Sequence, residues 1–237
     1  MTTSLSLLLP VSRWLSVSAV LAVGGLAFGQ AQKAPNQPKP PELVAPVDPS
    51  ALQVAPGFKV ELLYTVPRES QGSWVAMTMD PQGRMIVADQ YGDLYRIKLP
   101  RVGEKGVSEV EPLETGLRGA QGLLYAMGSL YVNVNEHLPA GVAGLWRLKD
   151  LDGEGKFGRP ELLRESRGRG EHGPHAIVLG PDGKSLYLAN GNHTDLPFRM
   201  EKSRAVAWGE DHLLPRMWGA RGHAKGKLAP GGYVVRT

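Results

Sequence analysis

The chain reads as an all-β protein, a β-propeller, on three observations. Turns at Pro81-Gln82-Gly83, Met127-Gly128 and Pro181-Asp182-Gly183 each stand between two short apolar runs, a hairpin signal because these residues adopt turn dihedrals cheaply. The turn glycines Gly83, Gly128 and Gly183 are 45 and 55 residues apart. Self-similar units of short strands at that interval are the mark of propeller blades, which run about 40–50 residues each. With 30 Gly and 19 Pro in 237 residues, the composition suits a turn-rich β-protein and not a helical bundle. A β-sandwich also alternates strands with turns, but it does not repeat the order inside each unit.

The amino terminus reads as an export signal over residues 1–29. Arg13 gives the positive start, Trp14 to Phe28 the apolar stretch, and Ala27 with Gly29 the small positions of a cleavage site, Gly29 with Ala31 being an alternative pair. The stretch is short for a membrane-spanning helix; retention as an uncleaved anchor is the other reading. The mature chain is therefore expected to be exported, in the periplasm or at the cell surface. Residues 30–50 are a Pro/Gln-rich linker, with neither periodicity nor enough apolar surface to fold. The folded part, residues 51–237, opens with a turn at Ala55-Pro56-Gly57 and an alternating strand over Phe58 to Tyr64.

Each repeat then follows in order. Ser73 to Met79 and Met85 to Asp89 flank the first turn, and Gly92-Asp93-Leu94-Tyr95-Arg96-Ile97 supplies a third strand. The second unit repeats this with Gly122 to Ala126, Leu130 to Asn135 and Gly144-Leu145-Trp146-Arg147-Leu148. The third begins with Gly170-Glu171-His172-Gly173-Pro174-His175, which sets an acidic residue and two histidines just before a strand. Histidine is the side chain best suited to move protons near neutral pH. The plain alternative for His172 is a structural histidine capping a strand.

Charge and cysteine usage exclude several classes. The net charge of +4 is modest and mixed, and no basic run is interleaved with aromatics, so no nucleic-acid partner is expected. The chain has no cysteine, which rules out disulfides, a thiolate zinc site and covalent haem attachment within it.

Asp150-Leu151-Asp152-Gly153-Glu154-Gly155, with Glu161 at the twelfth position, follows the order of a calcium-binding loop. Asp150, Asp152, Glu154 and Glu161 are thus candidate Ca²⁺ ligands; a solvated Asp-Gly hairpin turn explains the same residues. Residues 196–227 read as a long insertion holding Trp208, Trp218, His212, His223 and seven basic residues. It is either a lid that binds an anion or a surface excursion with packed tryptophans.

The stretch from Ser73 to Asp89 resembles the opening blade of the soluble, quinone-dependent glucose and aldose dehydrogenases, six-bladed propellers that bind pyrroloquinoline quinone (PQQ). Gln121-Gly122-Leu123-Leu124 resembles that family's Gln-Gly-Gly-Leu segment, and Glu171-His172 falls where it has its catalytic histidine. Gly170 to Ala176 and Tyr187 to Thr194 are most similar to the variant found at the start of large exported bacterial proteins, ahead of a c-type haem domain. The resemblance implies oxidation of a sugar or other alcohol with hydride transfer to PQQ, His172 as general base, Glu171 and Asn192 as its neighbours, and Gln121 and His175 at the cofactor. It also implies a bound Ca²⁺ and a downstream haem domain as partner. Two departures stand out: Gly191-Asn192 replaces a Gly-Asp pair, and the segments that hold the quinone carboxylates and calcium lie beyond this sequence. The folded length supplies three to four blades, so the chain is expected to be the amino-terminal part of a longer protein and inactive by itself. A second class, a non-catalytic extracytoplasmic propeller that binds carbohydrate or protein, accounts for the same fold.

Overall fold

Eleven β-strands, laid out in chain order, make up the structure, a computed structural model that describes residues 48–104, 108–135, 142–168, 170–196 and 232–237. The expected signal segment, the linker as far as residue 47 and the insertion from residue 197 lie outside the described residues. All the strands belong to one unit, Pro46–Thr237.

The first sheet holds β1 (Trp74–Met79), β2 (Met85–Asp89), β3 (Leu94–Lys98) and β4 (Glu109–Leu113) in that order. The second holds β5 (Ala120–Ala126), β6 (Ser129–Val134), β7 (Gly144–Lys149) and β8 (Glu161–Glu165). The third holds β9 (Pro174–Leu179), β10 (Leu186–Gly191) and β11 (Gly232–Arg236). Every neighbouring pair is antiparallel. Each sheet is thus a meander built from consecutive strands.

The three glycine turns are where the sequence puts them. Gly83 joins β1 to β2, Gly128 joins β5 to β6, and Gly183 joins β9 to β10, all with positive φ. The middle turn is the tightest, because Ala126 pairs directly with Ser129. Only Met127 and Gly128 remain for the loop, and both take positive φ, 50° and 64°. That is the geometry of a two-residue hairpin whose twist matches its strands.

The sheets pack through their first strands, β1 against β5 and β5 against β9, as the innermost strands of successive propeller blades do. Between the first two sheets, Ile86, Ala88 and Leu94 meet Leu123, Leu130, Val132 and Leu148. Between the second and third, Ala126, Tyr131 and Leu145 meet Ile177, Leu186 and Leu188. Each such fully buried aliphatic side chain contributes about 1.5–3 kcal/mol, so these layers hold the sheets together.

A polar latch reinforces the first interface. Asp80, its side chain wholly buried, binds the Arg84 guanidinium at 2.7 Å and stands 3.9 Å from that of Arg96. The two arginines donate to the carbonyls of Glu154 and Gly155, and Gln82 donates to that of Gly153. Arg96 also lies over the Phe157 ring, 5.6 Å from its centre. Side chains of the first sheet therefore grip the backbone of a loop in the second.

One expected strand is absent. Residues 58–66 form no ladder, although the turn before them is present, with Gly57 at φ 87° and the Phe58 amide donating to Ala55 at 3.1 Å. Alternation alone does not make a strand without an edge to pair with. The segment is held instead by side chains: Tyr64 stacks on Trp74 at 5.3 Å, and Ser108 donates to the Leu63 carbonyl. The last strand, β11, pairs with β10 from Tyr187↔Arg236 to Gly191↔Gly232 and is the edge of its sheet.

Candidate functional site

The innermost strands β1, β5 and β9 begin at one end of the packed sheets, and the loops at that end carry the expected site residues. Gln121 is the second residue of β5. It is half-buried, and its amide donates to the Gln90 carbonyl at the end of β2 at 3.4 Å. Gly122, next along, lies so close to the His175 carbonyl that a Cβ there would collide with it. The start of β5 therefore abuts the start of β9, and Gln121 and the Gly170–His175 segment occupy corresponding ends of neighbouring sheets.

That segment is a single 3-10 turn, Gly170–His172, leading through Gly173 into β9. Its backbone is fixed from two sides. From the end of β6 and the residue just past it, Asn133 donates to the His175 carbonyl at 2.8 Å, and Asn135 donates to Gly170 at 2.8 Å and Pro174 at 3.1 Å. From the end of β10 and the turn after it, the Gly191 amide donates to Gly173 at 2.8 Å, and the His193 amide to His172 at 2.9 Å. Gly191 packs on the His172 backbone with no room for a side chain. Asn133 and Asn135 are almost wholly buried, so they are positioning residues for the loop. Two asparagines in an otherwise apolar strand, Tyr131-Val132-Asn133-Val134-Asn135, were the sequence signal for them, since a buried amide must find partners.

Three imidazoles come with this loop. The His172 and His193 rings are 4.9 Å apart and tilted by 41°. His193 lies in the turn after β10 and is the ring neighbour of His172. Asn192 lies between Gly191 and His193, both in contact with the His172 backbone, and its side-chain oxygen is buried without a hydrogen-bond partner. Glu171 occupies the middle of the 3-10 turn. His175 is the second residue of β9. On the neighbouring edge Arg118 pairs with Asp93 at 3.2 Å, both half-exposed, adding a cation three residues ahead of Gln121.

The second expected constellation does not assemble into a cation site. Asp150 accepts the amides of Gly153 and Gly155 and the phenol of Tyr125, the last at 2.8 Å. Asp152 accepts the amides of Glu154 and Lys156, which hold its carboxyl below the usual range. Glu161 lies in β8 and pairs with Arg147 of β7 at 2.6 Å. Among the described residues no three His, Cys, Asp or Glu side chains converge as metal ligands. Asp150, Asp152 and Glu154 stand in an Asp-Gly turn, the first two accepting its amides, while Glu161 stands in β8 and is engaged by Arg147.

The fold and the loop define a class, an antiparallel bladed β-protein with a histidine-bearing loop at the start of its third innermost strand. Compared with known proteins, the chain matches no family model and no curated protein. It is similar to a solved structure from Thermus thermophilus assigned as an oxidoreductase (glucose dehydrogenase), at 24% identity and TM-score 0.36, over 49% of this chain and 36% of that one. It is also similar to the PQQ-bound aldose sugar dehydrogenase of Streptomyces coelicolor, at 18% identity and TM-score 0.32, over 51% and 37%. The match thus spans little more than a third of the length of either neighbour.

Proposed function

We propose that this chain is part of an exported, quinone-dependent dehydrogenase that oxidises a sugar or other alcohol, with His172 as general base. The observation that carries the reading is the meeting of β5 and β9: Gln121 and the Gly170–His175 loop, the two segments with dehydrogenase-like motifs, start adjacent innermost strands. Corresponding blade positions converge on the axis of a propeller, so both serve one site.

The residues present fit a quinone in part. The Gln121 amide and the imidazoles of His172 and His175 are donors suited to quinone carbonyl oxygens, and Arg118 suits a carboxylate. When bound, PQQ supplies a hydride acceptor. The work of the chain is orientation and proton transfer. A neutral His172 ring takes the hydroxyl proton of the substrate at a ring nitrogen, and the His193 ring beside it limits its rotation. Asn192 offers a hydrogen-bond acceptor but no charge, so it can orient an imidazolium without stabilising it as a carboxylate does. The described residues offer no calcium cluster, and no step runs through calcium.

The test is dye reduction by the full-length protein of which this chain is part, reconstituted with PQQ, over a panel of aldoses and alcohols. His172→Ala is expected to lower turnover roughly 10²–10⁴-fold, the usual loss for a general base. An unchanged rate overturns the assignment. The Asn at position 192 favours a second reading, a binding propeller without redox chemistry. Carbohydrate binding that survives His172→Ala, with no dye reduction in the unsubstituted protein, would establish it.

A further inference from the structure

One backbone hydrogen bond recurs at the site end of every sheet. Gln90 donates to Ser73 at 2.8 Å in the first, Asn135 to Gly119 at 3.0 Å in the second, and Gly191 to Gly173 at 2.8 Å in the third. It fixes which positions correspond. Arg118, just before Gly119, holds in the second sheet the place that His172 holds in the third. Tyr91, just after Gln90, holds in the first the place of Asn192. Corresponding blade positions converge on the axis of a propeller, so Tyr91 and Arg118 border the same mouth as His172.

The turn that carries Tyr91 is firmly held. The Asp89 amide donates to the Asp93 carbonyl at 3.1 Å and closes it. The start of β5 grips it twice: the Gly119 amide donates to the Gly92 carbonyl at 3.0 Å, and the Gln121 side chain to that of Gln90 at 3.4 Å. From this turn Tyr91 stands 54% exposed. Tyr64 and Tyr95, by contrast, are taken up by Trp74, with ring centres at 5.3 and 5.9 Å. Two residues past Tyr91, Asp93 pairs with Arg118 of the neighbouring sheet at 3.2 Å, both side chains half-exposed.

An exposed ring beside a fixed carboxylate–guanidinium pair matches the chemistry of a pyranose. The C–H face of such a sugar packs on an aromatic face, and its neighbouring hydroxyls both donate and accept. Asp93 accepts from one hydroxyl. Arg118 meets Asp93 through Nε and carries four further N–H groups that suit the next. Groups already held in place lose little freedom on binding. We propose that Tyr91, Asp93 and Arg118 form a carbohydrate subsite, which takes the second unit of a neutral disaccharide or longer glycan whose reducing-end unit lies at His172. The patch lies on loops at the end of the sheets, apart from the faces through which sheets stack on one another. The place of the reducing-end unit rests on the dehydrogenase reading; the sugar-binding role of these three residues does not.

Calorimetric titration of the full-length protein with maltose, cellobiose and lactose, without PQQ, tests the subsite. At least one disaccharide is expected to bind more tightly than glucose. Tyr91→Ala and Asp93→Ala should each weaken that binding roughly tenfold, with unchanged circular dichroism, and Tyr91→Phe, which keeps the ring, should restore most of it. In dye reduction with PQQ, Tyr91→Ala should lower kcat/KM for the disaccharide by a similar factor and leave that for glucose unchanged. Disaccharide binding that depends on Tyr91 in a protein that reduces no dye would support the subsite and remove the dehydrogenase reading. No disaccharide binding, or binding that both alanine variants leave intact, would overturn the subsite, whatever the dye assay shows.

Discussion

Tyr125 of β5 donates its phenol to the Asp150 carboxylate at 2.8 Å, tying an innermost strand to the loop that the first sheet grips. The same carboxylate accepts the amides of Gly153 and Gly155. One buried-edge hydrogen bond therefore links blade packing to loop shape, and it has a pH signature.

The Tyr125 phenol is pushed up to about 12, first by burial, then by the hydrogen bond to Asp150 and that residue's charge. In the unfolded chain a tyrosine ionises near pH ~10. The folded form holds the proton more tightly, so this contribution is fully present below pH ~10 and is lost as pH rises through the folded value. Tyr233 is likewise raised to about 12, chiefly by burial. Urea melts should show stability falling above pH ~10, with a shallower fall for Tyr125→Phe than for the unsubstituted chain. Equal slopes would count against the bond.

The Asp150 loop gives a second outcome. Asp150→Ala strands two backbone amides and the Tyr125 hydroxyl, so a loss of about 2–3 kcal/mol is expected. Glu154→Ala should cost little. Added calcium should leave the melting temperature of the native chain unchanged, because the oxygens are already engaged. A clear rise that Asp152→Ala abolishes would restore the cation site.

Asp80 is a third. Its side chain is fully buried between Arg84 and Arg96, and it accepts the amides of Gln82 and Arg84 at 3.0 and 2.9 Å. Removing one partner of a buried pair costs about 3–5 kcal/mol, because the remaining charge is left uncompensated. Asp80→Ala should reach that range. Asp80→Asn, which keeps an acceptor for the turn amides, should cost less. A chemical melt with less than about 1 kcal/mol between Asp80→Ala and the native chain would contradict the latch.

Gly122 tests the join beneath the candidate site. The added methyl of Gly122→Ala meets the His175 carbonyl, which belongs to a neighbouring strand and cannot swing aside. Overpacking of this kind costs about 1–3 kcal/mol. Proton NMR should also show shifted His172 and His193 ring signals, since their loop is anchored at the same place. A neutral substitution with unmoved signals would mean that β5 and β9 do not meet there.

What the sequence determined by itself is local. Gly83, Gly128 and Gly183 set the hairpins, because a two- or three-residue turn is dictated by the dihedrals its own residues tolerate. The repeat of strand pairs around them was legible as blades for the same reason. Residues that point across the molecule were not legible. Glu161 continues a calcium-like spacing in the sequence, yet in the fold it is a strand residue opposite Arg147. Residues 58–66 alternate like a strand but have no edge to join. Tertiary structure alone decided that Asn133 and Asn135 hold the histidine loop, that His193 lies on His172, and that Arg84 and Arg96 close on a loop some sixty to seventy positions away. Such contacts join residues remote in sequence, and which of them form depends on how whole sheets pack, a matter of buried area and partner geometry that no short window of sequence contains.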